Sequence, residues 1–472
     1  MNNSKPTVKD KVVPYLEDDS PDEYSAYGGI PALKEVWEQL GGSSILRQAN
    51  IGYGQGEDKA GEMGFLLISA PFVRATSQRR VTQRFGGEAS EQEGDLLLAQ
   101  QLQHAISQRT LNRFVNTERY EWLEVQSERI KQLQRLPGYK ANRKGVVIID
   151  DWPLLKPYAK ALPYLSAIWD NNLKCSLLGY AIVHLYYYHP RLKSYSLGMF
   201  PWLKTSLTGE KKEKKKARRA AREDEELSKL DIAFMLVDQL VRKLPFAALV
   251  FDSWYTARWL GHALTQLGRV WIGDAKVHQK FVVGNQYLTV AEIYERYRHA
   301  LRPVPGQKKS VKAVTLSATI LPDSYTKVAQ PVKLVLVTGL HEPRDNDKGY
   351  KLLVCNRTCY RTRRIIRLFS YRPHIEQVHR HGKQEAGWLD FHNRSVPALL
   401  CHLTFCLFRC DCLALLQQET PAAHPFSARQ LIDHCLQITI RLVWVPDVGW
   451  TPTLKPGLLL WSFYRRPKAF YY

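Results

Sequence analysis

Short apolar runs that stop on a carboxylate are the strongest constraint this chain places on its own fold. "VVIID", Val146–Asp150, and "FAALVFD", Phe246–Asp252, read as buried strands, rich in β-branched and aromatic residues. "CSLLGYAIVHLYYYH" and "KSYSLGMF" follow the first run, and the three together read as an antiparallel meander. An amphipathic helix carrying Leu230, Phe234, Leu236, Leu240 and Leu244 precedes the second run. "YTARWLGHALTQLG" reads as a helix closed by Gly268, and "RVWIGDAK" as a fifth strand. The resulting order is three strands, a helix, a strand, a helix and a strand. That order predicts an α/β sheet in which neighbouring strand ends bring acids from distant parts of the chain together.

The texture on either side of this core differs. Residues 1–27 are polar and acidic, and are expected to form a loose tail. Residues 28–138 carry helical periodicity, as in Leu97, Leu98, Leu102 and Ile106. Within them "SQRTLNRFVN" opens on a good N-cap, Ser107, and sets Thr110, Asn112 and Arg113 against Leu111, Phe114 and Val115. This resembles the second helix of a helix-turn-helix unit, which reads DNA with its polar face. The same pattern also describes an ordinary amphipathic surface helix. Residues 139–275 hold the first part of the core, and 276–355 turn to β-type alternation, a β-rich insertion. Residues 356–418 hold its second part, and 419–472 form a helical region rich in Pro, Trp and Tyr.

The 472 residues are 45% hydrophobic and carry a formal charge of +22, an excess that calls for a polyanion, either nucleic acid or an anionic membrane. The most apolar stretch, "ALLCHLTFCLFRCDCLALL", is interrupted by His402, Arg409 and Asp411, which argues for a core helix and against a membrane span. The first 20 residues show no apolar h-region, and a cytoplasmic, nucleoid-associated protein is expected. The eight cysteines do not carry zinc-knuckle spacing, and are expected to be small buried thiols. The run Lys211–Arg222, with Lys214, Lys215, Lys216, Arg218 and Arg219, suits a DNA backbone or a solvated helix face equally.

Asp150 or Asp151 closes the first strand, Asp252 closes the fourth, and Glu376 stands in "FSYRPHIEQVHRHGKQ", read as a helix. Three carboxylates at one point repel unless cations neutralise them. Hard oxygen ligands suit Mg²⁺ or Mn²⁺, and two such ions can activate the attacking and leaving oxygens of a phosphodiester. Lys383 follows Glu376 by seven residues, within roughly 20° of the same helix face, and Arg372 and Arg380 stand one turn to either side. A surface ion-pair helix, with Glu376 bridging Arg372 and Arg380, is the plainer reading of the same residues.

Taken in order, "IIDD", "FDSWY" and "SYRPHIEQVHRHGK" resemble the DDE transposases of bacterial insertion sequences, in the branch with the signature Tyr-x2-Arg-x3-Glu-x6-Lys. Arg372, Glu376 and Lys383 keep its spacing. Phe369 takes the tyrosine position and removes the phenolic hydroxyl. The resemblance covers about residues 140–390. It implies an RNase H-like core with a β-rich insertion, preceded by an all-helical DNA-binding region. It also implies catalytic, metal-holding Asp150, Asp252 and Glu376, with Asp151 the alternative first acid. Two Mg²⁺ or Mn²⁺ ions, cleavage of transposon ends, joining to target DNA and a homodimeric synaptic complex are implied as well. Trp254 becomes a candidate for stacking on a flipped base, its plainer reading being a packing tryptophan beside the strand. A domesticated metal-dependent nuclease on the same fold is the second reading, and an inactive DNA-binding protein the third.

Overall fold

The computed structural model describes residues 23–52, 57–75, 77–86, 95–159, 162–170, 173–204, 227–322, 327–340, 349–418, 427–432, 436, 440–445 and 449–453. The basic run with Lys214, Lys215, Lys216, Arg218 and Arg219 lies outside them, as does most of the C-terminal aromatic segment. The chain divides into two compact units. One holds the described residues up to Leu133 and from His381 onward, and the other is Gln134–Arg380.

The first unit begins with β1 (Glu23–Ser25), in a stretch expected to be loose tail. β1 pairs with a late strand, and Ser25 and Tyr27 are buried. Seven helices follow: α1 (Ile30–Gln39), α2 (Gly42–Gln48), α3 (Glu57–Ser69), α4 (Gln78–Arg84), α5 (Leu96–Ala99), α6 (Gln108–Val115) and α7 (Trp122–Leu133). In α6 the Ser107 hydroxyl caps the first turn by accepting the Thr110 N–H at 3.2 Å. Leu111, Phe114 and Val115 are buried, while Asn112 and Arg113 are exposed.

The second unit is built on a sheet. Its elements are β2 (Val146–Leu155), β3 (Ser166–Asp170), β4 (Cys175–Tyr188), β5 (Tyr195–Trp202), α8 (Lys229–Leu236), β6 (Leu249–Phe251), α9 (Arg258–Gln266) and β7 (Trp271–Asp274). They continue with β8 (Lys280–Val283), β9 (Gln286–Thr289), α10 (Val290–Tyr297), β10 (Arg302–Pro303), β11 (Lys312–Ile320), β12 (Gln330–Thr338), β13 (Tyr350–Cys355) and α11 (Thr362–Phe369). Helix α12 (His374–Gln384) crosses the division.

Strands run in the order β3-β4-β2-β6-β7-β13-β12-β11-β8-β9, with β5 on β4 and β10 on β11. β2 is antiparallel to β4, and β4 to β5, while β2, β6 and β7 are mutually parallel. The segment 276–355 holds β8–β13 and α10, and it is not a separate layer. β13 hydrogen-bonds to β7 and carries the core sheet onward through β12 and β11, so the edge of β7 is covered. Helix α11 closes one face of this sheet by burying Ile365, Ile366, Leu368 and Phe369 against Val146, Ile148, Val250, Ile272 and Leu353.

The chain then returns to the first unit through α13 (Val396–Gln418), α14 (Ala428–Leu431), β14 (Ile440–Val445) and β15 (Gly449–Thr453). The expected second core segment, 356–418, is therefore split at Arg380, and α13 belongs with the helices. Among the described residues α13 is the one helix long and apolar enough to cross a membrane, and 78% of its most apolar window is buried in the protein. A helix apolar on every side is a core helix when its neighbours cover it. Its two charges are satisfied there. Arg409 donates to the Leu67 carbonyl at 2.7 and 3.1 Å and to the Ala386 carbonyl at 3.3 Å. Asp411 accepts from Arg129 of α7, and both side chains are almost fully buried. One turn away Gln126 donates to Thr404 at 3.1 Å.

Removing one partner of a buried ion pair strands the other charge in a low-dielectric interior, at a cost of about 3–5 kcal/mol. Asp411→Ala is therefore expected to lower the stability of the helical unit by that amount, measured by denaturant unfolding. Replacing Arg129 and Asp411 together by apolar residues of similar volume is expected to cost far less.

Candidate active site

The parallel ladder fixes the spacing of the acids. Ile149 pairs with Phe251 and Phe251 with Gly273. The next residues on the three strands are Asp150, Asp252 and Asp274, so three carboxylates stand in a row where the parallel pairing ends. Carboxyl ends of parallel strands are the usual place for a site in sheets of this kind. Gly273 permits the close strand approach, since a Cβ there would lie 2.3 Å from the Thr256 hydroxyl and 2.6 Å from the Phe251 ring.

Arg372 holds the row together. One of its terminal nitrogens, Nη2, lies 3.1 Å from Asp150 Oδ2 and 3.8 Å from Asp252 Oδ2, and the other, Nη1, lies 2.7 Å from Glu376 Oε1. The three acids predicted from sequence thus meet on one guanidinium. Arg372 itself is not on the helix. Helix α11 ends at Phe369 and α12 begins at His374, because Pro373 disfavours helical geometry at the residue before it. From that turn the side chain reaches both the strand ends and the first turn of α12.

Each acid has its own environment. Asp150 is buried, and burial pushes its carboxyl up to about 7, against the pull of Arg372 and with a further push from Asp252 and Asp151. For Arg372, burial works against the charge, but Asp150, Asp252 and Glu376 outweigh it and hold the pKa above its ordinary value. Asp252 closes a tight turn, accepting the Trp254 N–H at 2.9 Å while the Thr256 hydroxyl donates to its carbonyl at 2.9 Å. Asp151, alternating to the other face of β2, accepts from Lys229 at 2.7 Å and from the Tyr255 hydroxyl at 3.0 Å. The Tyr255 hydroxyl is pushed well above its usual range by burial and by Asp151. Asp274 pairs with Lys351 of β13 at 3.1 Å, and burial raises its carboxyl.

Two histidines of the α12 stretch act as anchors. His374 stacks on Tyr188 of β4 with ring centroids 3.9 Å apart. His379 Nε2 lies 3.0 Å from Nδ1 of His184, the cross-strand partner of Asp150. At the rim, Trp254 is half exposed, with the Lys276 ammonium 4.7 Å and the Lys229 ammonium 5.4 Å from its ring. Lys351 lies 6.0 Å from the ring of buried Phe369, the residue standing at the tyrosine position.

Other predicted residues lie elsewhere. Arg380 is exposed on α12, and Glu376 pairs with Arg372 and not with it. Lys383 falls beyond the division within α12, and Thr110, Asn112 and Arg113 are on α6 of the helical unit. Sequence reasoning passed over Asp274, Lys351, Lys229 and Tyr255. The signal for Asp274 was present, because "RVWIGD" is a third apolar run that stops on a carboxylate.

Among the described residues no three His, Cys, Asp or Glu side chains are grouped closely enough to hold a metal ion. The guanidinium lies between them. Asp150 Oδ2 and Asp252 Oδ2 nevertheless share one cationic nitrogen, so they are no more than about 7 Å apart. Oxygen donors that already converge on positive charge fit a hard divalent cation.

Because Asp150 is raised by burial, the stability carried by its protonated form is present below the unfolded value of 3.8 and is lost as pH rises to about 7. In metal-free protein, the infrared carbonyl band missing from Asp150→Asn is expected to titrate near 7. Arg372→Gln, which removes the attraction to the charged form, is expected to move that titration higher.

Comparison with curated proteins returns no match. A family model described as DDE superfamily endonuclease matches residues 96–332, half of the chain. The match takes in Asp150, Asp252 and Asp274 and stops before Arg372 and Glu376. The chain belongs to the DDE superfamily endonucleases, and its substrate is DNA.

Proposed function

We propose that the chain is a DNA transposase of the insertion-sequence type, which cleaves transposon ends and joins them to target DNA. The observation that carries this reading is the meeting of Asp150, Asp252 and Glu376 on Arg372. The spacing of Arg372, Glu376 and Lys383 supports the same branch. An RNase H-like core is supported by the strand order β5-β4-β2-β6-β7, three antiparallel strands followed by two helix-linked parallel ones.

Asp150, Asp252 and Glu376 would hold the divalent ions, Mg²⁺ or Mn²⁺, which when bound supply Lewis-acid stabilisation of the attacking and leaving oxygens. Asp150 is preferred over Asp151 as first acid, because Asp151 is already committed to Lys229 and Tyr255. Arg372 bridges the carboxylates and would offer N–H donors to a phosphate. Lys229, Lys276 and Trp254 form a rim of two ammonium groups and an exposed ring, suited to the backbone and a base of DNA. Arg380 and Lys383, with Thr110, Asn112 and Arg113 of α6, are proposed as further DNA contacts, and a homodimer as the assembly that pairs two ends.

Asp252→Asn and Glu376→Gln are each expected to abolish Mg²⁺-dependent cutting of DNA bearing the flanks of the gene, while binding in the absence of metal persists. Wild-type cutting by either purified variant would overturn the assignment. Products sized on a gel distinguish joining from simple cleavage: an endonuclease without strand transfer leaves only cut ends.

A further inference from the structure

The sequence from Arg296 to Pro322 contains no acid, and neither does that from Lys348 to Ile375. The fold brings these two stretches together. Helix α11 buries Ile365, Ile366, Leu368 and Phe369, and at 100° per residue its opposite side is left to Arg363, Arg364 and Arg367, all exposed. Arg357 and Arg361, just before the helix, are exposed as well. The β10–β11 hairpin packs into the same cluster through Val304, Val311 and Ala313. It contributes exposed Arg302, whose partner across the hairpin is Ala313, together with exposed Lys308 and Lys309 of its turn.

Two contacts tie the two stretches. The Arg363 guanidinium lies across the hairpin turn, within 2.5–3.1 Å of where a Cβ on Gly306 would be. Thr362 and Thr315 hydroxyls are 2.5 Å apart. Lys333 of β12 donates to the Tyr360 carbonyl at 2.9 Å, and Arg364 lies over the Tyr360 ring at 4.0 Å. Among the described residues none of the α11 arginines has a carboxylate partner. A surface of one sign, with no internal neutralisation, has the electrostatics of a phosphate-backbone site. Guanidinium groups on a rigid helix also match phosphate geometry.

The helix is aimed. It is about 12 Å long at 1.5 Å per residue. Phe369 closes it, and Arg372, three residues on, sits among the carboxylates. We infer that the α11 face and the β10–β11 turn form a track for the backbone of duplex DNA, binding the flank that leads into the cutting centre. The inference rests on the carboxylate row being that centre.

The test uses the full chain without divalent metal and a labelled duplex, with affinity measured across a salt series. The variant Arg363→Ala, Arg364→Ala, Arg367→Ala is expected to flatten the log–log salt slope by about 2–3, at about 0.9 for each phosphate no longer neutralised. Arg302→Ala, Lys308→Ala, Lys309→Ala is expected to do the same from the hairpin, independently of any effect on α11. A control removes equal charge from exposed Lys140, Arg143 and Lys144. An unchanged slope in both patch variants overturns the proposal, and so does an equal fall in the control. Wild-type cutting of the duplex with Mg²⁺ is measured separately. Its absence overturns the reading of the carboxylate row, while the slopes still decide whether the track binds DNA.

Discussion

A single guanidinium sets the terms for the sheet unit. Asp150 and Asp252 are neighbours because two parallel strands place them so, and Glu376 approaches from a helix more than a hundred residues further along the chain. Without positive charge between them the three would repel across a partly buried gap, where screening by water is weak. Arg372 supplies that charge from a turn, and the turn exists because a proline follows it. The approach of Glu376 to the aspartates follows from this arrangement, while burial raises the Asp150 carboxyl against the pull of Arg372.

The anchoring around it is redundant in a way that suits a site required to keep its shape while its charge changes. The β2–β6–β7 ladder spaces the aspartates by backbone hydrogen bonds alone. His374 on Tyr188 and His379 beside His184 fasten α12 to the long strand β4, independently of any carboxylate. On the other face of β2, Asp151 is tied to Lys229 and Tyr255, so that side chain is spoken for before any ligand arrives. Positive charge then grades outward, from partly buried Arg372 and Lys229 to exposed Lys276 and the arginines of α11. A polyanion approaching from solvent meets attraction first and carboxylates last.

The helical unit solves a different problem. Helix α13 is apolar on all sides, and burying it needs neighbours all round. Two charges inside such a helix are tolerable only because Arg409 finds backbone carbonyls and Asp411 finds Arg129. Those partners come from α3, α7 and the loop after α12, which is why this unit is assembled from both ends of the chain.

The sequence by itself determined the elements and the chemistry they carry. Apolar runs stopping on acids gave the strands, and the cap at Ser107 gave α6. The order of Asp150, Asp252, Arg372 and Glu376 was legible because each sits beside a strong local signal. Local patterns report on neighbours in the chain, and the rest concerned neighbours in space. Only the tertiary structure decided that Asp274 joins the row, since its place depends on the register of β7 against β6. Only it decided that β11–β13 extend the core sheet, that Arg372 stands off the helix, and that Asp150 and not Asp151 faces the guanidinium. Strand pairing and side-chain alternation fix these outcomes, and neither is written in any single segment.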